Sequence, residues 1–129
     1  MTKVWRLIDA NLNRLREGLR VVEDINRYIY DDKDITSRLK TLRHSLQKAY
    51  SKDRIKNRDI LGDVATKTTK SELNRTSIDD IIIANFCRVS ESARVLEEAF
   101  KIVDIELSQD FKLLRYEIYE IERLYHTKD

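Results

Sequence analysis

Apolar residues recur every three or four positions along four stretches of this chain, which is the spacing typical of amphipathic α-helices. The predicted helices are, in chain order, Val4 to Tyr30, Asp34 to Tyr50, Ser77 to Val103 and Ser108 to Tyr125. Asp34 and Ser77 are the expected N-caps of the second and third helices, and Ser108 is expected to open the fourth. Acidic residues between Asp31 and Asp34 break the pattern after the first helix.

The chain also contains an internal repeat whose polar residues are kept. Segment 10–24, ANLNRLREGLRVVED, aligns with segment 84–98, ANFCRVSESARVLEE, and segment 39–43, LKTLR, aligns with segment 111–115, FKLLR. The repeat unit is therefore predicted to be a helical hairpin. Two hairpins predict an all-α, up-and-down four-helix bundle with pseudo-twofold symmetry. Pairing of the first and third helices across a homodimer interface is the alternative arrangement.

Length and composition favour one domain over residues 1–129, with repeats at about 4–50 and 77–126 and a connecting segment at about 51–76. The chain has no proline, two glycines and 37% charged residues, which suits long helices with charged outer faces. Its net charge of +2 predicts neither nucleic acid nor an anionic membrane as a partner. There is no long apolar run, and the single cysteine, Cys87, excludes a disulfide framework. We therefore expect a cytoplasmic protein.

Polar residues fall on the apolar side of the predicted helices. Each hairpin is expected to turn one asparagine and two arginines inward: Asn11, Arg14 and Arg43 in the first, and Asn85, Arg88 and Arg115 in the second. An unpaired buried arginine costs several kcal/mol, so either carboxylates or an anionic ligand must face these groups. Glu17 and Glu91 are expected to pair with the arginines three residues earlier, whereas Arg43 and Arg115 have no such acid. The alternative is that the guanidinium groups reach water.

The outer faces carry a second repeated set of charges, formed by Arg20, Glu23 and Asp24 and by Arg94, Glu97 and Glu98. These residues are expected to point outward and to form intrahelical ion pairs such as Arg20–Asp24 and Arg94–Glu98. Gly18 lies in the middle of the first helix, where it costs about 1 kcal/mol relative to alanine. We therefore expect close approach of a helix or a ligand at that position.

The connecting segment contains one distinctive stretch, RDILGDVAT at 58–66, with Gly62 beside Asp63. Long connections in compact domains are functional or disordered, and a plain linker is the alternative reading of this one. Four arginines around one cavity would suit a ligand set with several phosphates. The chain has no Walker loop, kinase glycine-rich loop or Rossmann motif. Candidate Mg²⁺ ligands are Glu17, Glu91 and Asp63, and neither histidine is assigned a catalytic role.

These residues carry a family resemblance. RLIDAN at 6–11 followed by Arg14 and REGLRVVED at 16–24, then RD…GDV at 58–64, and AN…RV…ESARVLEE at 84–98 resemble a small helical family of thiamin biosynthesis. That family is the compact hydroxymethylpyrimidine phosphate kinase, which occurs alone or fused ahead of thiamin phosphate synthase. The chain departs from its pattern at Ala65, where a second glycine is expected.

The resemblance implies phosphoryl transfer from ATP, with Mg²⁺, to 4-amino-5-hydroxymethyl-2-methylpyrimidine phosphate. Arg14, Arg43, Arg88 and Arg115 would then hold the reacting phosphates. Asn11, Asn85, Arg58, Gly62 and Asp63 would bind substrate, and Glu17, Glu91 or Asp63 would place the metal. Association with thiamin phosphate synthase is expected on the same ground. The alternatives are a non-catalytic module that binds a nucleotide or pyrimidine phosphate, and a helical interaction protein.

Overall fold

The computed structural model describes residues 1–128, apart from the side chain of Ser71, and this part of the chain is all-α without strands. Its four long helices are α1 (Thr2–Tyr28), α2 (Lys33–Ser45), α5 (Ile78–Val103) and α6 (Ile105–Thr127). A 3₁₀ turn (Leu46–Ala49), α3 (Lys52–Lys56) and α4 (Lys70–Leu73) lie between the hairpins. The predicted bundle of two helical hairpins is thus confirmed. No helix among the described residues is long and apolar enough to cross a bilayer.

The helix directions are fixed by contacts at one end of the bundle. The hydroxyl of Tyr125, near the end of α6, lies 3.4 Å from that of Tyr30, which follows α1. It also lies 3.2 Å from Oδ1 of Asp79, in the first turn of α5. The end of α1 therefore meets the start of α5, and the helices run up, down, down and up in chain order. This differs from the predicted up-and-down order, because the connector from α2 to α5 crosses the length of the bundle.

Two predicted helix starts are corrected by their caps. Asp32, rather than Asp34, accepts a hydrogen bond of 2.9 Å from the amide of Ile35. Asp104, rather than Ser108, caps α6. Ser108 is instead buried, and its hydroxyl donates to the Glu97 carbonyl at 2.6 Å, which ties the second hairpin together. The predicted Ser77 cap is confirmed, since its hydroxyl accepts from the amide of Asp80 at 3.1 Å.

The core forms where α1 and α5 cross in opposite directions. The buried apolar side chains come from all four long helices, and those without measurable exposure include Ile8, Leu12, Leu15, Leu39, Ile82, Leu96, Ile118 and Ile121. At the crossing, a Cβ on Gly18 would lie 2.7 Å from Cγ2 of Val89. The expected close approach at Gly18 is thus an approach of helix to helix. It brings the two repeated segments face to face, with Asn11 and Arg14 of α1 beside α5.

Candidate functional site

Two adjoining clefts open on the face of α1. The loop cleft, about 320 Å³, lies between α1 and the connector and is lined by Lys3, Arg6, Leu7, Asp9, Ala10, Asn11, Asn13, Arg14, Arg58, Asp59, Ile60 and Asp63. The interhelical cleft, about 450 Å³, lies between α1 and α5 and is lined by Asn11, Arg14, Ala84, Cys87, Arg88, Glu91, Ser92 and Val95. Asn11 and Arg14 line both clefts, so the two form one continuous concave surface.

Arg14 and its repeat equivalent, Arg88, are exposed and both line the interhelical cleft. Neither forms an ion pair with any acid in the described part of the chain, so the expected pairs with Glu17 and Glu91 are not formed. Their guanidinium groups face solvent at the cleft, where an anion can reach them. This agrees with the alternative in which arginine heads reach water.

Asn11 is buried at the junction of the clefts, and its Nδ2 donates to the Leu7 carbonyl at 3.0 Å. Its repeat equivalent, Asn85, makes the matching bond to the Ile81 carbonyl at 2.8 Å. Asn85 does not line either cleft. The two asparagines are therefore alike in local structure, but only the first has a place at the candidate site.

The floor of the loop cleft is a buried ion-pair cluster centred on Asp9, which is 2% exposed. Its Oδ1 accepts from Arg54 Nη1 at 2.7 Å and from Arg58 Nη2 at 2.8 Å, and its Oδ2 accepts from Arg58 Nε at 2.7 Å. Burial alone would raise the pKa of Asp9, but the hydrogen bonds and charges of Arg58 and Arg54 hold it below its ordinary value. Because both arginines belong to the connector, Asp9 fastens that segment to α1.

Residues 59–65, which follow Arg58 and are called the connector loop below, form the outer wall of the loop cleft. Arg6 Nη2 donates to the Asp59 carbonyl at 3.0 Å. The Gly62 amide donates to Asp59 Oδ1 at 2.8 Å, and the Ala65 amide donates to Asp63 Oδ1 at 2.9 Å. A Cβ on Gly62 would collide with the Asp59 carboxylate, so a larger residue there would require that side chain to move. Of the predicted loop residues, Arg58 and Asp63 line the cleft, and Gly62 shapes the turn between them.

Arg43 and Arg115 lie elsewhere, and the acids that hold them were missed. Glu23, 1% exposed, accepts from Arg43 Nε at 2.7 Å and Nη2 at 3.2 Å. Glu97 accepts from Arg115 Nη2 at 3.0 Å and Nε at 3.2 Å. The expectation that Glu23 and Glu97 point outward is wrong, and four guanidinium groups do not converge on one cavity. The catalytic roles of all four arginines stay predictions.

The outward intrahelical pairs are confirmed, with Arg20 Nε 3.4 Å from Asp24 and Arg94 Nη2 3.5 Å from Glu98.

The three candidate metal ligands are spread out. Asp63 lines the loop cleft, Glu91 lines the interhelical cleft, and Glu17 is exposed and lines neither. Within the described residues, no three acidic, histidine or cysteine side chains lie close enough to hold a metal ion by themselves.

Four residues at the loop cleft were not predicted from the sequence: Lys3, Arg6, Asp9 and Arg54. One signal was available for Asp9, which sits between the core residues Ile8 and Leu12 in the apolar stripe of α1 and therefore needs a cationic partner. Arg54 and Arg58 are four residues apart, and both reach that carboxylate. The pairing could not be found from the sequence, because it depends on how the connector returns to α1.

Comparison with known proteins gives several curated relatives named thiamine-phosphate synthase. The chain is 39% identical over 120 residues to that of Nostoc punctiforme, covering 92% of this chain and 34% of the relative. It is 40% identical over 122 residues to that of Synechocystis sp., covering 94% and 36%. It is 40% identical over 121 residues to that of Rhodopirellula baltica, covering 90% and 32%.

The chain therefore spans about a third of the length of the curated relatives it matches. No solved structure matches it. The model of the ThiD2 family matches residues 6–124, which include most of both hairpins and every residue of the two clefts except Lys3. The chain belongs to the ThiD2 family.

Proposed function

We propose that this chain transfers a phosphoryl group from ATP to 4-amino-5-hydroxymethyl-2-methylpyrimidine phosphate, giving the pyrimidine diphosphate for thiamin biosynthesis. The observation that carries the proposal is the position of Arg14, which lines both clefts at their junction. A guanidinium group there can contact two phosphates at once through its planar set of donors. The family membership and the names of the relatives support the assignment to thiamin biosynthesis.

The charges around Arg14 suit a pair of phosphorylated ligands. Lys3, Arg6 and Arg58 line the loop cleft, and Arg88 lines the interhelical cleft. Arg58 donates to Asp9 through Nε and Nη2, so its Nη1 remains available to bind a ligand. Transfer between two bound phosphates depends mainly on aligning them and neutralising their charge. The cations on the two sides of Arg14 can align the two phosphates and neutralise their charge.

The acceptor in this reaction is a phosphate monoester, whose second pKa is about 6, so it is already largely ionised at neutral pH. No side chain needs to remove a proton from it. This agrees with the described cleft linings, which contain no histidine. An alcohol acceptor would require such a base and would lack the anion that the arginines hold.

Mg²⁺ is the metal implied by this reaction, and the cleft residues fit it. Protein-bound Mg²⁺ is held by one or two carboxylates together with substrate phosphates. Asp59 and Asp63 each use only Oδ1 to accept a backbone amide in the loop, so Oδ2 of each is left for a ligand. Glu91 offers a carboxylate in the interhelical cleft. When bound, the ion supplies positive charge that offsets the charge of the phosphates.

The relatives also suggest a partner. Because each is a thiamine-phosphate synthase about three times as long as this chain, we propose that the chain works beside such a synthase, either fused to it or separate. The pyrimidine diphosphate would then be made next to the enzyme that uses it.

The test is incubation of the purified protein with ATP, Mg²⁺ and the pyrimidine phosphate, following ADP and the pyrimidine diphosphate. We expect equal amounts of the two products, and little turnover when the unphosphorylated alcohol replaces the acceptor. Comparable turnover of the alcohol would contradict the mechanism. Binding of the pyrimidine phosphate without any ADP would instead identify a non-catalytic binding module. If no ligand raises the melting temperature, the chain is an interaction protein.

A further inference from the structure

The connector loop exposes apolar side chains at the rim of the loop cleft. Ile60 is 65% exposed, and Leu61 and Val64 are fully exposed. Other exposed apolar residues lie mainly on helix surfaces, whereas these three lie within five positions of one loop. Isolated exposed apolar side chains are ordinary, whereas a group of them beside a ligand cleft indicates a surface that is covered when the ligand binds.

The loop is fixed at its first residues and compact at its tip. Arg58 is held by Asp9, and the Asp59 carbonyl is held by Arg6. Within the tip, the Asp63 amide donates to the Ile60 carbonyl at 3.1 Å, in addition to the turn bond from Gly62 to Asp59. The tip can therefore move as a unit about its anchored start. Residues 65–70, which follow it, are all exposed.

The cleft wall opposite the loop combines apolar and cationic groups. Leu7 and Ala10 of α1 line this wall together with Lys3 and Arg6, and Ile60 lines the cleft from the loop side. A volume of about 320 Å³ is at the small end of ligand pockets. These properties fit a small aromatic ring that carries one phosphate, and they fit a nucleoside triphosphate poorly.

We propose that the segment 60–64 is a lid that folds Leu61 and Val64 onto the ring of a phosphorylated pyrimidine bound in the loop cleft. This inference rests on the proposed function and extends it. The loop cleft is the acceptor site, and the interhelical cleft, which is larger and lined by Arg88 and Glu91, takes the nucleotide phosphates. Closure removes apolar surface from water, which favours it energetically. It also keeps water away from the transferred phosphoryl group.

The first experiment measures ligand affinity by calorimetry in Leu61→Ser and Val64→Ser. The dissociation constant for the pyrimidine phosphate should rise roughly tenfold in each variant, since each loses the burial of one aliphatic side chain. The dissociation constant for ADP with Mg²⁺ should stay unchanged. Leu113→Ser is the control, because Leu113 is an exposed leucine on α6 that lines neither cleft. Unchanged pyrimidine affinity in both loop variants would refute the lid.

The second experiment places a fluorophore on the lid with Leu61→Trp, and the signal of Trp5 is subtracted with the unmodified protein. The emission of the new tryptophan should shift to the blue when the pyrimidine phosphate is added, and inorganic phosphate alone should leave it unchanged. Leu73→Trp, at an exposed position outside both clefts, should not respond to either. A shift produced only by added thiamine-phosphate synthase would show that the segment docks a protein, which overturns the proposal.

These readouts separate the lid from the kinase. If the loop variants lose pyrimidine affinity while no ADP is ever formed, the lid stands and the proposed reaction fails. If the protein forms ADP but the loop variants keep the KM for the pyrimidine phosphate, the reaction stands and the lid fails.

Discussion

Glu23 and Arg43 form a two-point ion pair between α1 and α2, with Oε1 2.7 Å from Nε and Oε2 3.2 Å from Nη2. Glu97 and Arg115 form the equivalent pair between α5 and α6. The hydrogen bonds that Arg43 donates to Glu23 raise the pKa of Arg43 above its ordinary value. The repeat of Glu23 and Arg43 as Glu97 and Arg115 is therefore explained by hairpin packing, in which each pair joins two neighbouring helices.

Replacing Arg43 by methionine should destabilise the protein. Glu23 would keep its buried position without its main cationic partner, and losing one member of a buried pair costs about 3 kcal/mol. Urea denaturation at neutral pH measures the change in the free energy of unfolding. The double variant Glu23→Met with Arg43→Met should recover most of it, because no buried charge is then left alone.

Arg123→Met is the control, since Arg123 is exposed and pairs with Glu120 on the surface at 2.6 Å. That change should cost less than about 1 kcal/mol. An Arg43→Met variant as stable as the control would show that the pair is not structural. Loss of activity in that variant without loss of stability would support the predicted catalytic role of Arg43.

The repeat and the helix spacing were enough to predict the four long helices, because buried stripes of this length leave few alternatives. The helix starts were less certain, because Asp32 and Asp34, like Asp104 and Ser108, are pairs of good capping residues. Which of them caps depends on how the preceding loop turns. The chain direction of the second hairpin could not be predicted, since it depends on the path of the long connector.

The site was only partly predictable for a related reason. Helical angles place Arg14 and Glu23 near the edges of the apolar stripe, where a small rotation decides between burial and exposure. Both were assigned to the wrong side, since Arg14 is exposed and Glu23 is buried. The partners of Asp9 could not be predicted from α1 alone, because both lie in the connector. Residues whose environment is set within one helix, such as Asn11, were placed correctly on the inner side.

Asp9→Asn should lower stability in a way that depends on pH. Because Arg58 and Arg54 hold the folded-state pKa of Asp9 below its unfolded value, its contribution is fully present above about pH 4, the ordinary aspartate range. It is lost as the pH falls through the lowered folded-state pKa. The variant should therefore be less stable by about 3 kcal/mol at neutral pH. The difference should shrink in stronger acid.

Urea denaturation of both proteins, from neutral pH down to about pH 2, measures the difference at each pH. Asp34→Asn is the control, because Asp34 is well exposed and its carboxylate lies 3.9 Å from Arg38 Nε. A gap between wild type and Asp9→Asn that stayed constant over the whole range would show that the charge of Asp9 is not what holds the connector.

Arg14→Met should impair catalysis without unfolding the protein. The side chain is exposed and forms no ion pair with the described residues, so the free energy of unfolding should change by less than about 0.5 kcal/mol. If the guanidinium group contacts both phosphates, kcat for phosphoryl transfer should fall by roughly 100-fold or more. Arg14→Lys should recover only part, because lysine keeps the charge but not the planar set of donors.

Arg27→Met tests whether any charge loss on α1 has the same effect, since Arg27 is exposed in the last turn, stacks on Tyr28 and lies outside both clefts. Its steady-state kinetics should match those of the wild type. An equal loss of kcat in both variants would show that the overall electrostatic field of α1 is what matters. It would contradict a specific contact of Arg14 at the junction of the clefts.

Gly18→Ala should be destabilising although alanine is the better helix former by about 1 kcal/mol. The new Cβ would lie 2.7 Å from Cγ2 of Val89, a buried β-branched side chain whose rotamer is restricted in α5. Overpacking of this kind costs about 1–3 kcal/mol, so the clash outweighs the helix propensity. Thermal and urea denaturation measure the net change. In a Val89→Ala background the clash is absent, so adding Gly18→Ala there should raise stability. Stabilisation in the wild-type background as well would show that α1 and α5 are not in tight contact at this crossing.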